Sequence, residues 1–406
     1  MPDWTRRQLL AALGTAGVGV GGYWWFETDH CIDRREPRWT LDGRRWSPAA
    51  TDEYSVYVSE QHGSTGEGLV SRVASLKQFD GEPKWVFTVT GGGAGVPLVA
   101  DESVYFGTGT DLVYSLDKRT GHVEWRYDAG GRETYGGGAW GQPAKAGDRL
   151  IAGVSHSGDS NADPRDDSFV HRVVALDAES GEEVWTSGVD AKVWSGPVAV
   201  GDTVVAATEN GSVSAFAIED GTERWRTEVG EKIWESIFGD DGDRAIHVAS
   251  EDGRVAAIDP GSGEKRWTAS LSGERKDEKE RKVRATERDD ETFFVGTDSG
   301  DVVAFSRSGG PEDWRFDAGG ARSEAAIAAI SSDGSLAYVL DQRGYVSVLD
   351  AASGERRDEF RVAEKSWEDK CGWNAVYDRA TGLLAGENSL TVTGPWVGQV
   401  PRHREE

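Results

Sequence analysis

The residues best suited to chemistry are few and scattered. The chain has seven His and two Cys. Having only two Cys, Cys31 and Cys371, excludes a four-Cys zinc site and a disulfide-dense scaffold, and these two lie 371 − 31 = 340 positions apart. His62 and His156 each open an inserted loop, and both read more simply as solvated loop residues than as a shared metal site. Asp159-Ser160-Asn161-Ala162-Asp163 begins like a calcium loop. Pro164 stands where the turn Gly should be and Val170 where the bidentate Glu should be, leaving at most weak calcium binding. No H-E-x-x-H, phosphate-binding P-loop or strand-Gly-helix fingerprint occurs, so no residue is assigned a catalytic or metal-ligating role.

A second group is more ordered. Trp46, Trp140, Trp194, Trp234 and Trp373 each precede a predicted first strand, and Arg44, Lys192 and Lys232 lie two residues before three of them. Aromatic plates with cations on an acidic protein suit an anionic or extended ligand, or a peptide from a partner. The competing reading is that these Trp pack the inner ends of repeated units.

The elements that would position them form one repeat. A Gly is followed four residues later by Trp at Trp85, Trp125, Trp185, Trp225, Trp267 and Trp314, and Asp358 takes the Trp position after Gly354. The spacings are 40, 60, 40, 42, 47 and 44 residues. An Asp four residues before the Gly (Asp117, Asp177, Asp259, Asp350) can accept backbone hydrogen bonds in the turn. Two alternating strands joined by turns such as Glu209-Asn210-Gly211 precede each unit, and an apolar strand such as Gly196–Val200 precedes these. Four-stranded repeats of this length predict an all-β, eight-bladed β-propeller of antiparallel blades, with seven blades as the alternative. Insertions are expected at Ser155–Ser168 and Gly273–Asp290. Asn374–Asp378, Gly382–Asn388 and Leu390–Thr393 supply three strands of the last blade, which an amino-terminal strand carrying Trp39 would close. The propeller then spans 31–396 and leaves a polar tail at 397–406.

The unit aliphatic-Asp-x-x-Thr/Ser-Gly-x-x-x-Trp resembles the tryptophan-docking repeat of pyrroloquinoline-quinone (PQQ)-like propellers. That family includes quinoprotein alcohol dehydrogenases and the BamB scaffold lipoprotein. The resemblance covers about residues 36–394 and implies the fold, with Trp39, Trp85, Trp125, Trp185, Trp225, Trp267 and Trp314 as structural blade anchors. The enzyme branch implies an adjacent Cys pair over the quinone and a calcium held by Glu, Asn and Asp. This chain has no adjacent Cys pair. The expectation is therefore a non-enzymatic scaffold binding a protein or peptide, with no PQQ, and a quinone- or metal-dependent oxidoreductase as the alternative.

The amino terminus reads as an address. Arg6-Arg7 precedes an uncharged run from Leu9 to Phe26, resembling a twin-arginine export signal. Residues 1–30 are expected to direct the protein out of the cytoplasm and, if retained, to hold it to the membrane. In that compartment a Cys31–Cys371 disulfide would fasten the propeller closure, worth roughly 4–5 kcal/mol in the chain-entropy picture. The opposing point is that the two residues enter the blade from opposite faces.

Charge completes the reading. The formal charge is 45 − 71 = −26, which argues against nucleic acid as a partner. Arg outnumbers Lys 33 to 12, and the composition resembles that of haloarchaeal proteins, whose carboxylate surfaces stay soluble in salt. A monomer is expected.

Overall fold

The computed structural model describes residues 33–35, 37–42, 46–65, 68–90, 92–130, 138–157, 169–234, 237–240, 245–271, 281–307, 309–310, 312–318, 326–362, 382–386, 389–393 and 396–402. The export segment, Arg44, Cys31, Cys371, Trp373 and the Asp159–Asp163 loop lie outside the described residues.

Alternating apolar residues between tight turns give antiparallel meanders of four strands. Eight such sheets form the eight blades of a propeller. Blades 1 to 7 occupy residues 46–90, 98–128, 144–189, 198–228, 238–270, 283–317 and 327–362. The second and third strands of a blade are buried on both faces. Thr203–Ala207 is buried throughout, and so are the first five residues of Ser212–Ala217. The core is divided into clusters that each join two neighbouring blades, as Val205 and Val213 of blade 4 meet Ile246 and Val248 of blade 5.

The Trp anchors dock each blade onto the next. Next to the anchor the fourth strand carries a register shift against the third, between Val123 and Trp125 in blade 2. An extra residue of this kind re-aims a side chain. The Trp85 indole N–H donates to the Lys118 carbonyl oxygen at 2.8 Å, in the turn of blade 2. Trp39, Trp125, Trp185, Trp225 and Trp314 make the same bond at 2.7–3.0 Å. The indole lies flat on the turn Gly of the next blade. Gly121 has φ +71°, and a Cβ there would stand 2.7 Å from the Trp85 ring. Gly is thus required twice, for its backbone angle and for the close approach. Asp117 holds that turn by accepting from the Thr120 amide at 2.7 Å, and Asp177, Asp259 and Asp350 do the same at 2.9–3.0 Å.

Closure differs from the expectation in detail. Blade 8 consists of Gly382–Ala385, Ser389–Thr393, Trp396–Pro401 and, outermost, strand β2 (Trp39–Asp42). The amino-terminal strand does close the last blade, but the other three strands sit one place later than expected. The innermost is 382–385, and Asn374–Asp378 lies outside the described residues. The polar tail expected from 397 is strand as far as Pro401, because Val400 and Gln399 are buried in the blade. The Gly273–Asp290 insertion is also shorter than expected. Val283–Arg288 is the innermost strand of blade 6, its charged residues alternating with buried Val283 and Ala285. A further strand, β1 (Asp33–Arg35), pairs in parallel with the outer strand of blade 7 and makes that sheet five-stranded.

Candidate functional site: a tryptophan arc at one mouth

The loop entering each blade and the turn joining its second and third strands lie on the same face. In blade 4 the Glu209 amide donates to the Lys192 carbonyl at 2.9 Å. Blade 5 repeats the bond from Glu251 to Lys232 at 2.6 Å, and blade 6 from Asp298 to Lys282 at 2.9 Å. The segments Lys192-Val193-Trp194, Lys232-Ile233-Trp234 and Lys282-Val283-Arg284 are therefore equivalent. Their middle residues are buried and pin each loop to the core.

This register brings Trp140, Trp194 and Trp234 into one arc. The Trp140 and Trp194 rings stack with centroids 6.3 Å apart, and Trp194 meets Trp234 at 5.6 Å. Carboxylates fix the last two indoles. Glu209 accepts from the Trp194 N–H at 2.8 Å, and Glu251 accepts from that of Trp234 at 3.2 Å. The Lys192 ammonium lies 3.8 Å from the Trp194 ring centroid and 5.8 Å from that of Trp140. Lys232 lies 5.6 Å from that of Trp234. The Lys282 ammonium pairs with Glu251 at 3.2 Å. Trp234 closes the arc and stays 38% exposed.

Within the electrostatic reach of Lys192 lies a buried carboxyl, Asp111, that the sequence reading missed. Asp111 has φ +60° and is fully buried in the blade 2 turn, where blades 4 to 7 have Gly211, Gly253, Gly300 and Gly344. One oxygen accepts from the amides of Gly138 at 3.0 Å and Ser155 at 3.3 Å, tying blade 2 to the loop and hairpin of blade 3. The other is buried with no hydrogen-bond partner among the described residues. Burial pushes the carboxyl up to about 7, against the pull of those two amides, Lys192 and Arg172. Burial likewise lowers Lys192 to about 8, opposed by Glu209 and Asp111. The signal was legible as Thr-Gly-Thr-Asp, where blade 4 reads Thr-Glu-Asn-Gly and blade 5 Ser-Glu-Asp-Gly.

The remaining candidates separate. Trp46 does not belong to the arc. It is 1% exposed and packs inside blade 1 among Val56, Val58 and Leu76, with the Arg72 guanidinium 5.2 Å from its ring. Its side chain takes an inward position, as Val193 and Ile233 do. His156 accompanies Arg172 at 3.3 Å, and burial lowers its pKa. The His62 side chain lies outside the described residues. Among the described residues no three His, Cys, Asp or Glu side chains converge as a metal site would need.

The profile of a PQQ-like repeat family, described as outer membrane protein assembly factor BamB, matches residues 30–166 and 170–332. The chain belongs to this family. Family relatives include the BamB of Burkholderia pseudomallei, 30% identical over 33% of this chain and 33% of that protein. This chain thus matches a third of that relative's length. The BamB of Yersinia pestis is 25% identical over 63% of this chain and 69% of its own. Quinohemoprotein alcohol dehydrogenase ADH-IIG of Pseudomonas putida is 23% identical over 67% and 40%. The crystal structure of BamB from Moraxella catarrhalis has the same fold, with TM-score 0.60 at 19% identity over 90% of this chain and 98% of that one. The family repeat accounts for the blade anchors. It does not by itself account for the arc.

Proposed function

We propose that the protein is a non-enzymatic, extracytoplasmic propeller scaffold, without a cofactor, that binds a protein or peptide segment across the tryptophan arc. The observation that carries this reading is the convergence of Trp140, Trp194 and Trp234 with Glu209 and Glu251 fixing the indole N–H groups. Rigid aromatic anchors with satisfied polar edges are what a recognition surface uses to gain affinity at low entropy cost. The twin-arginine segment and its uncharged run support an exported protein held at a membrane. The acidic composition supports a salt-rich setting.

The similarity to quinohemoprotein alcohol dehydrogenase favours a second reading, a quinone-dependent oxidoreductase. The residues do not fit that group. The two Cys are 340 positions apart, so no adjacent pair can cover a quinone ring. Fold alone does not carry the chemistry.

The test is a photo-crosslinking amino acid placed at position 234, with position 219 on the opposite face as control. The scaffold reading expects discrete protein adducts from position 234 that disappear when Trp194 is changed to Ala. Equal adducts from both positions would remove it. In parallel, the protein is incubated with pyrroloquinoline quinone and calcium. A stoichiometric bound chromophore with alcohol-dependent dye reduction would replace the scaffold with the enzyme.

A further inference from the structure

The arc runs blade by blade and then stops. Blades 3, 4 and 5 contribute Trp140, Trp194 and Trp234, with successive ring centroids about 6 Å apart. In blade 6 the equivalent position is Arg284, placed there by the same Lys-apolar-X register and the same backbone bond to the hairpin turn. The indole series therefore ends on Trp234, which has Trp194 on one side and remains 38% exposed. This end carries three cations beside the Glu251, Glu231 and Asp252 carboxylates, and of the cations Lys282 already pairs with Glu251. Lys232 is 5.6 Å from the Trp234 ring, Lys282 is 44% exposed, and Arg284 is exposed on a chain of net charge −26. Glu251 is held below the ordinary carboxylate range against burial, by its bonds to Trp234 and Lys282 and the nearby Arg284 charge.

We propose that the partner segment supplies the next rung of the series: an aromatic side chain stacked on Trp234, adjacent to carboxylates taken by Arg284 and Lys282. This inference rests on the scaffold reading and specifies its ligand as an aromatic–acidic peptide. Two independent features point to it. The repeat places rings of neighbouring blades in contact, so a ring on Trp234 continues an arrangement the fold already satisfies twice. Cations at this end complement negative charge next to that ring and disfavour a basic segment.

The experiment titrates the full chain, by calorimetry at about 0.3 M salt to limit screening, with three blocked peptides. One carries Trp flanked by two Glu, one Leu flanked by two Glu, and one Trp flanked by two Lys. The expected order is Trp-Glu tightest, with Leu-Glu and Trp-Lys each weaker by about tenfold or more, the scale of one lost contact of ~1.4 kcal/mol. Trp234→Ala should abolish the preference for Trp. Arg284→Glu, an exposed change that leaves the core alone, should invert the preference between the Glu and Lys peptides. Equal binding of all three peptides, an unchanged order in Arg284→Glu, or no binding at millimolar peptide would each overturn the inference. Adducts persisting at position 234 alongside such a result would leave the scaffold reading standing, whereas loss of both would remove the two together.

Discussion

Arg35 forms an ion pair with Asp358, the residue that occupies the anchor position of blade 7. At that position Trp39, Trp85, Trp125, Trp185, Trp225 and Trp314 each reach a carbonyl just past the next blade's third strand. Here the Arg35 guanidinium does so, donating to the carbonyls of Pro401 at 3.2 Å and Arg402 at 2.6 Å while lying 3.8 Å from the Phe360 ring centroid. The short parallel strand β1 thus replaces a tryptophan with an arginine at the seam where the chain's two ends meet. Arg402 completes the seam by donating to the Tyr338 hydroxyl at 2.6 Å and the Gly386 carbonyl at 2.9 Å.

Arg35→Ala should destabilise the propeller by about 2–4 kcal/mol, because it leaves buried acceptors and the Phe360 face without their partner. Restoring the family anchor with Asp358→Trp in that background should recover part of the loss. Thermal unfolding followed by Trp fluorescence checks both. An Arg35→Ala protein that melts with the wild type would show that the seam does not depend on this side chain.

Asp111 predicts a pH dependence of stability. Burial pushes its carboxyl in the folded protein up to about 7, from an ordinary value of 3.8. The native state thus favours the protonated form, and the associated stability is fully present below about pH 4. It is lost as pH rises through 7, and the loss is on the order of 4 kcal/mol at most. Asp111→Asn keeps the acceptor for Gly138 and Ser155 and removes the buried charge. Lys192 and Arg172 face the same carboxyl, so the comparison belongs at pH 5 and 7.5, where Lys192 remains mostly protonated. The variant should gain on the wild type between these values in denaturant unfolding. A constant difference between the two proteins would mean that Asp111 does not titrate in this window.

The −26 charge predicts a salt response. Raising KCl from about 0.1 to 2 M shortens the screening length from ~10 Å to under 3 Å and relieves carboxylate repulsion. The midpoint of thermal unfolding should rise by roughly 5 °C or more, the scale of a few kcal/mol in a chain of this size. Equimolar ionic strength from a different monovalent salt should do the same if screening is the cause. A midpoint indifferent to salt would assign the acidic surface another role.

The fold was legible because the repeat writes the same instructions many times. The Gly-to-Trp spacing encodes a positive-φ turn and a plate that docks on the neighbouring turn, so a single unit predicts the others. The carboxy-terminal strands were displaced by one place because blade 8 departs from the repeat and its third strand lacks the turn that marks the others. The arc was legible only in part. Trp140, Trp194 and Trp234 each stand ahead of a blade's first strand, which reports their face, but Trp46 was placed by the same signal and turns into the core. Asp111 was missed because its significance lies in replacing a Gly, which only alignment of the hairpin turns exposes.

The anchors themselves allow a comparison that separates packing from hydrogen bonding. Trp225 donates to the Pro260 carbonyl at 2.7 Å, whereas the buried Trp267 N–H has no acceptor among the described residues. Both rings lie on a turn Gly, at Gly263 and Gly310. Replacement of either by Ala should cost about 3–5 kcal/mol through lost packing. Replacement by Phe keeps much of the ring and removes the N–H. Trp225→Phe leaves the Pro260 carbonyl without its donor and should cost about 1–2 kcal/mol more than Trp267→Phe. Chemical unfolding of the four variants provides the test. Equal costs for the two Phe variants would mean that the anchor bond adds little beyond the burial of the ring, and that the repeat selects Trp for its size.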